Sequence, residues 1–255
     1  MSEPHIVVVP DAGAAGPAAA AIVVDVLARA ASARVRADFS TTGGSTPAAI
    51  YRALAAPPLR ERMPWAQTQV WWGDDRFVPR EHELSNVKPL DDVLLRDGAA
   101  PLPPANIHPF PVARTLAMGE DEAWCAAEYA TELHASEIAL QDGWPVFDLV
   151  LLGVGPDGHI LSVFPGSPAL DSRSWAVAVP APRHIEPHVP RVTLNPRIVS
   201  VAREVLAVAT GENKAAVLKE VLEGERDEAR LPAQLARRDR ATWILDAAAA
   251  SALAR

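Results

Sequence analysis

Short runs of β-branched and other apolar residues alternate along the chain with longer stretches of helical composition. That alternation is the pattern of a mostly parallel sheet with helices on its faces, an α/β fold. It predicts strands over Ile6–Val9, Ala37–Thr41, Gln69–Gly73, Phe147–Leu152, Trp175–Val179, Arg191–Leu194, Glu204–Ala209 and Thr242–Leu245. Helices are predicted over Pro17–Ala33, Pro47–Leu54, Asn86–Arg96, Glu120–Leu140, Lys214–Leu222 and Asp246–Ala254. Phe147–Leu152 is apolar at all but one position, as a central strand buried on both faces must be. Two Pro-rich segments, Ala100–Pro111 and Pro180–Pro190, read as long surface connections. Neither shifts composition enough to mark a boundary, so one domain over residues 1–255 is expected.

Charge narrows the class. The chain carries a formal net charge of −8, which argues against nucleic acid or an anionic membrane as partner, since both attract a positive surface. An anionic small molecule remains compatible if positive groups are gathered locally. The uncharged stretch Ala12–Val24 is too short to span a bilayer and is closed by Asp25 and Arg29, so a surface helix is expected there. The single cysteine, Cys125, allows no internal disulfide, and the first residues lack the basic start of a signal peptide. A cytoplasmic location is the expectation.

In a parallel sheet of this kind chemistry gathers at the C-terminal ends of the strands, and four unusual clusters fall there. Thr41-Thr-Gly-Gly-Ser-Thr-Pro47 follows a strand and opens a helix. Gly43 and Gly44 let backbone N–H groups approach a ligand, Ser45 and Thr46 add hydroxyls, and Pro47 suits a first helical turn. The segment reads either as an anion cradle at a helix N-terminus or as an ordinary capped turn. In Trp72-Gly-Asp-Asp-Arg-Phe-Val-Pro79 two carboxylates, Asp74 and Asp75, leave a strand end beside Arg76. Arginine can grip a carboxylate or phosphate in two parallel bonds, or simply form a local ion pair.

The third cluster is Leu152-Gly-Val-Gly-Pro-Asp-Gly-His159. Its glycines match the dinucleotide fingerprint formally, but Pro156 within it and Pro165 beyond leave no room for the required helix, so no nucleotide cofactor is expected. What remains is a loop presenting Asp157 and His159, either as a general base with its carboxylate or as a structural turn. The fourth joins Arg191-Val-Thr-Leu-Asn195 to Thr210-Gly-Glu-Asn-Lys-Ala215. Lys214 opens a helix, where the macrodipole disfavours a cation unless an anion lies between them, and where a solvated lysine is the plain alternative. There is no serine-nucleophile elbow and no H-E-x-x-H motif. Pro187 separates His184 from His188, so no helical metal pair and no bound metal are expected.

Taken together, Gly43-Gly-Ser-Thr-Pro47, Gly73-Asp-Asp-Arg-Phe-Val-Pro79, Ser85-Asn86, Gly153-Val-Gly-Pro-Asp-Gly-His159 with Phe164-Pro165, Arg191-Val-Thr193 and Gly211-Glu-Asn-Lys214 resemble the 6-phosphogluconolactonase family in residue and in order. The resemblance implies a Rossmann-like α/β fold and metal-independent hydrolysis of 6-phospho-D-glucono-1,5-lactone, a small-molecule substrate. It also implies His159 and Asp74 in the site, and Arg76 and Lys214 among the positive ligands. Gly43, Gly44, Ser45, Thr46 and Arg191 complete the expected phosphate-binding set, and Asp157 or Asp74 orients the imidazole or the water. Thr42, Asp75 and Ile160-Leu161 depart from the family's usual residues.

Two relatives share that fold. A glucosamine-6-phosphate deaminase carries an acidic residue five positions after the loop histidine and a tyrosine at the Asp-Glu-Tyr strand end. Here those positions are Phe164 and Arg76, which favours the lactonase. A non-catalytic sugar-phosphate effector domain would follow a DNA-binding segment, and only a few residues precede the first strand. Monomer and homodimer both remain open.

Overall fold

The apolar runs form strands close to the expected limits, and four short strands join them. In chain order the strands are β1 (His5–Val9), β2 (Ala37–Thr41), β3 (Thr68–Trp72), β4 (Asp74–Arg76), β5 (Ile107–His108), β6 (Leu140–Gln141) and β7 (Trp144–Pro145). They continue as β8 (Leu149–Gly153), β9 (Ala176–Val179), β10 (Arg191–Leu194), β11 (Glu204–Ala209) and β12 (Ala241–Asp246). This computed structural model describes residues 3–254, apart from the side chains of Ser45 and Asp97.

Seven strands make one all-parallel sheet in the order β1-β12-β11-β8-β2-β3-β5. The chain runs outward from β2 through β3 to β5, then returns to the far side of β2 as β8 and continues through β11 and β12. The strand order therefore reverses between β2 and β8, the place where an open parallel sheet leaves a crevice beyond its strand ends. β8 is buried along Leu149–Leu152, as its composition requires. It starts two residues later than predicted. Just before it, the Asp148 side chain accepts the Asp38 N–H at 2.9 Å and pairs with Arg34 and Arg203.

A smaller antiparallel sheet, β4-β10-β9, stands at the end of the large one. Its register sets Arg191 opposite Arg76 and Thr193 opposite Asp74. The sequence pattern predicts only a strand end at Asp74–Arg76. The strand forms because β10 pairs with it, a non-local cause that no short window contains.

The helices are α1 (Ala12–Arg34), α2 (Ser45–Leu54), α3 (Leu59–Arg62), α4 (Lys88–Leu90), α5 (Val112–Met118), α6 (Glu122–Ala135), α7 (Arg197–Val201) and α8 (Ala215–Glu223). α1 starts at Ala12, earlier than predicted, because the Asp11 carboxylate caps the Ala14 N–H at 3.0 Å. By length and composition α1 could cross a membrane, but Ala15, Ala19, Val23 and Leu27 are buried in the core. It packs tightly on α2, where a Cβ on Gly16 would lie 2.8 Å from that of Ala49.

Three helical expectations need correction. Asn86–Arg96 is a chain of short turns, with only Lys88–Leu90 α-helical and Asp91–Leu95 wound as a π-turn. Glu120–Leu140 ends at Ala135, where the Ser136 hydroxyl bonds back to the Leu133 carbonyl at 2.8 Å, and Leu140 joins β6. Asp246–Ala254 forms turns, since the Asp246 carboxylate takes the Ala249 N–H at 2.8 Å and continues β12 instead. The connection Ala100–Pro111 is not wholly a surface loop either: Ile107–His108 pairs with β3 as the sheet edge, and Leu102 and Phe110 are buried.

Candidate active site

The glycine loop after β8 folds back on itself through Gly155 N–H to the His159 carbonyl at 2.9 Å and Gly158 N–H to the Gly155 carbonyl at 3.1 Å. Gly158 has φ +81°, which favours glycine. A Cβ on Gly155 would lie 2.0 Å from His159 Nδ1, so the imidazole folds over the loop only because that side chain is missing. No helix follows: Ile160 and Val163 pair as an isolated bridge.

His159 Nδ1 lies 2.6 Å from Asp157 Oδ1, and His184 Nε2 lies 2.9 Å from Asp157 Oδ2. Burial opposes ionisation of Asp157, but the hydrogen bonds and charge of His159 and the bond from His184 outweigh it. They hold its carboxyl well below the usual carboxylate range. An ionised carboxylate only accepts, so His159 Nδ1 carries the hydrogen of that bond, and in the neutral ring Nε2 is then the nitrogen with the lone pair. The Phe164 ring covers this imidazole at 4.7 Å between centroids.

Asp74 sits under the site at 3% exposure. Its carboxylate accepts from the Ser162 hydroxyl at 2.7 Å, Asn86 Nδ2 at 3.0 Å and the Thr42 hydroxyl at 3.2 Å. One side chain thus ties together three loops, those after β2, β4 and β8. Asp75 points the other way. Its Oδ1 accepts the Asn86 and Arg76 N–H groups at 2.7 and 2.8 Å. Burial nevertheless pushes its carboxyl up to about 7, with the Asp74 charge adding to the effect and those two N–H groups opposing it.

Three cations converge from separate elements. Arg76 donates to Asn86 Oδ1 at 2.7 Å and to the Leu84 carbonyl at 2.9 Å, and its buried Nε has no partner among the described residues. Arg191, only 3% exposed, donates to the Pro187 carbonyl at 3.1 Å, and its buried Nε likewise has no partner among the described residues. Its guanidinium lies 5.3 Å over the Phe164 ring. Burial and the Arg76 charge depress its pKa, while Asp74 and Asp157 raise it. Lys214 ends a 3-10 turn (Glu212–Lys214) just ahead of α8, and its Nζ reaches the Val154 carbonyl at 2.7 Å. Burial lowers its pKa against the Asp157 charge. Two opposed guanidiniums with orphaned buried donors cost free energy unless an anion joins them.

The double-glycine turn borders this group. A Cβ on Gly43 would lie 2.1 Å from Asn86 Oδ1, so the turn presses against the residue that holds Arg76. Gly44, at φ +98°, precedes α2 and has no side chain to cap it, leaving first-turn N–H groups for a ligand. Thr46 opens α2 and is half-buried, with no hydrogen bond from its side chain among the described residues. The Ser45 side chain lies outside the described residues.

Sequence reasoning missed Ser162, His184 and the role of Asn86. No motif flags Ser162, which follows Leu161 at φ +55°. In the sequence, His184 stands out only as half of a disfavoured metal pair with His188. Among the described residues no group of three or more His, Cys, Asp or Glu is placed to hold a metal. Cys125 is buried, and burial pushes its thiol up to about 11, as for an inert core residue. A cavity between α6 and β9, lined by Ala126, Ala130 and Trp175, contains none of the expected site residues.

The profile of a family described as glucosamine-6-phosphate isomerases/6-phosphogluconolactonase matches residues 10–244. The 6-phosphogluconolactonase of Streptomyces coelicolor is 36% identical over 257 residues, covering 99% of this chain and 95% of its own length. Human 6-phosphogluconolactonase is 38% identical over 227 residues, 88% of this chain and 83% of its own. Among solved structures, 6-phosphogluconolactonase from Trypanosoma brucei superposes with a TM-score of 0.85 at 29% identity, covering 100% of both chains.

Proposed function

Since the chain belongs to the glucosamine-6-phosphate isomerase/6-phosphogluconolactonase family, we propose that it hydrolyses 6-phospho-D-glucono-1,5-lactone to 6-phospho-D-gluconate. It does so as one domain over residues 1–255, a cytoplasmic enzyme of the oxidative pentose phosphate pathway. The observation that carries this reading is the pairing of an oriented imidazole, His159 on Asp157, with the opposed guanidiniums Arg76 and Arg191. A base and an anion site side by side suit an electrophilic substrate that bears a phosphate.

The chemistry is short. His159 Nε2 takes a proton from water as the oxygen adds to the lactone carbonyl carbon. The tetrahedral intermediate collapses, the bond to the ring oxygen breaks, and His159 returns the proton to that oxygen. Asp157 fixes the tautomer and stabilises the imidazolium. Asp74 does not act as the base. With three donors on it, it holds the Thr42, Asn86 and Ser162 loops in register. Arg76 and Arg191 seat the phosphate with the N–H groups of the Gly43-Gly44 turn, and Lys214 supplies positive charge beside the glycine loop. Acid–base catalysis of about 10²–10⁴-fold suffices for a lactone that already opens in water.

The deaminase reading fits less well. The position five after His159 is Phe164, whose ring lies over the imidazole and offers no carboxylate. The test compares kcat/KM for phosphorylated and plain gluconolactone in wild type and Arg191→Ala, with glucosamine 6-phosphate as control. The expected result is a strong preference for the phosphorylated lactone that falls at least about tenfold in the variant, the worth of one charged contact, with no ammonia released from the amino sugar. An unchanged preference would take Arg191 out of the phosphate site, and ammonia release would favour the deaminase.

A further inference from the structure

We propose that His184 is a positioning residue for the catalytic pair: it fixes the Asp157 carboxylate from its far side and thereby sets the basicity of His159. The inference rests on the lactonase reading above. A carboxylate at the end of its side chain rotates in a broad torsional well, so one bond to His159 does not define its plane. Here both oxygens are engaged. Oδ1 takes His159 Nδ1 at 2.6 Å and the His159 N–H at 3.2 Å, and Oδ2 takes His184 Nε2 at 2.9 Å. The two imidazoles also share Phe164, whose ring lies 4.7 Å from His159 and edge-on at 5.4 Å from His184.

The loop that delivers His184 is anchored for the purpose. The Phe77 N–H bonds to the Pro190 carbonyl at 2.8 Å, Arg191 reaches the Pro187 carbonyl at 3.1 Å, and His188 Nδ1 lies 2.7 Å from the Pro182 carbonyl. The His184 side chain is 53% exposed, so packing does not demand a histidine there. Lys214 and Arg191 both feel the Asp157 charge. Glu186 pairs with His188 at 3.1 Å, and Arg183 is the neighbour of His184 in sequence. With His184 donating, the carboxylate is shared between two rings. Without it, the whole charge falls on His159 and holds that proton more tightly.

The experiment compares wild type, His184→Ala and His184→Gln, the last retaining a donor at the Nε2 position. In His184→Ala, kcat for 6-phosphogluconolactone should fall about fivefold, the worth of one hydrogen bond, with KM and Tm little changed. The acid limb of the pH profile should move to higher pH, and His184→Gln should recover most of kcat. An alanine variant with wild-type kcat and acid limb, or a folded glutamine variant no better than alanine, would overturn the proposal. An NMR titration of the His159 ring reads the same coupling without substrate. A higher pKa in His184→Ala supports the proposal even if no lactone is turned over, and an unmoved titration refutes it.

Discussion

At the scale of single residues, the neighbouring carboxylates Asp74 and Asp75 show how one residue step changes a role. They alternate across β4, so one faces the site loops and the other the buried side. Asp75 has a folded-state pKa raised by burial to about 7 from an ordinary 3.8. The folded protein therefore binds more protons than the unfolded chain between those values, and stability from this group is full below about pH 4 and is lost as pH rises through about 7. Asp75→Asn should remove that dependence. Asn keeps one oxygen for the two N–H groups that Oδ1 now accepts. Chemical denaturation across this range should find the variant gaining on wild type by roughly 1–4 kcal/mol as pH rises. A difference independent of pH would show that Asp75 titrates normally.

At the scale of elements, the site depends on loops pressed together where glycine leaves no side chain. Gly43→Ala would drive a Cβ to 2.4 Å from the Asn86 Cα, a backbone atom that cannot step aside. The variant should lose roughly 1–3 kcal/mol of stability. It should lose at least about tenfold in kcat/KM as well, since Asn86 carries Arg76 and Asp74. Thermal melts and kinetics on the same preparation would check both, and a variant normal in each would remove the Gly43–Asn86 contact from the account. The strands and glycine loops were legible because each is encoded within a few residues: an apolar run, then glycine, then polar groups. β4 and β5 were not, since only pairing with β10 and β3 makes them strands. Likewise the choice between Asp157 and Asp74 as partner of His159 depended on how loops meet. A spacing of two residues allows the first bond but does not exclude the second.

At the scale of the whole molecule, an acidic chain of net charge −8 concentrates Arg76, Arg191 and Lys214 at one end of its sheet, beyond the strand-order reversal between β2 and β8. Positive charge gathered against the general field marks where an anion belongs. With no His, Cys or carboxylate group of metal-holding geometry among the described residues, activity should persist after exhaustive EDTA treatment. Loss restored by one divalent ion would contradict that. The most direct test of the central claim is proton release from fresh 6-phosphogluconolactone at neutral pH, with wild type and His159→Ala assayed side by side. Wild type should open the lactone far faster than buffer does. His159→Ala, folded and with KM little changed, should lose about 10²–10⁴-fold in kcat. A folded His159→Ala enzyme with near-normal kcat would contradict it.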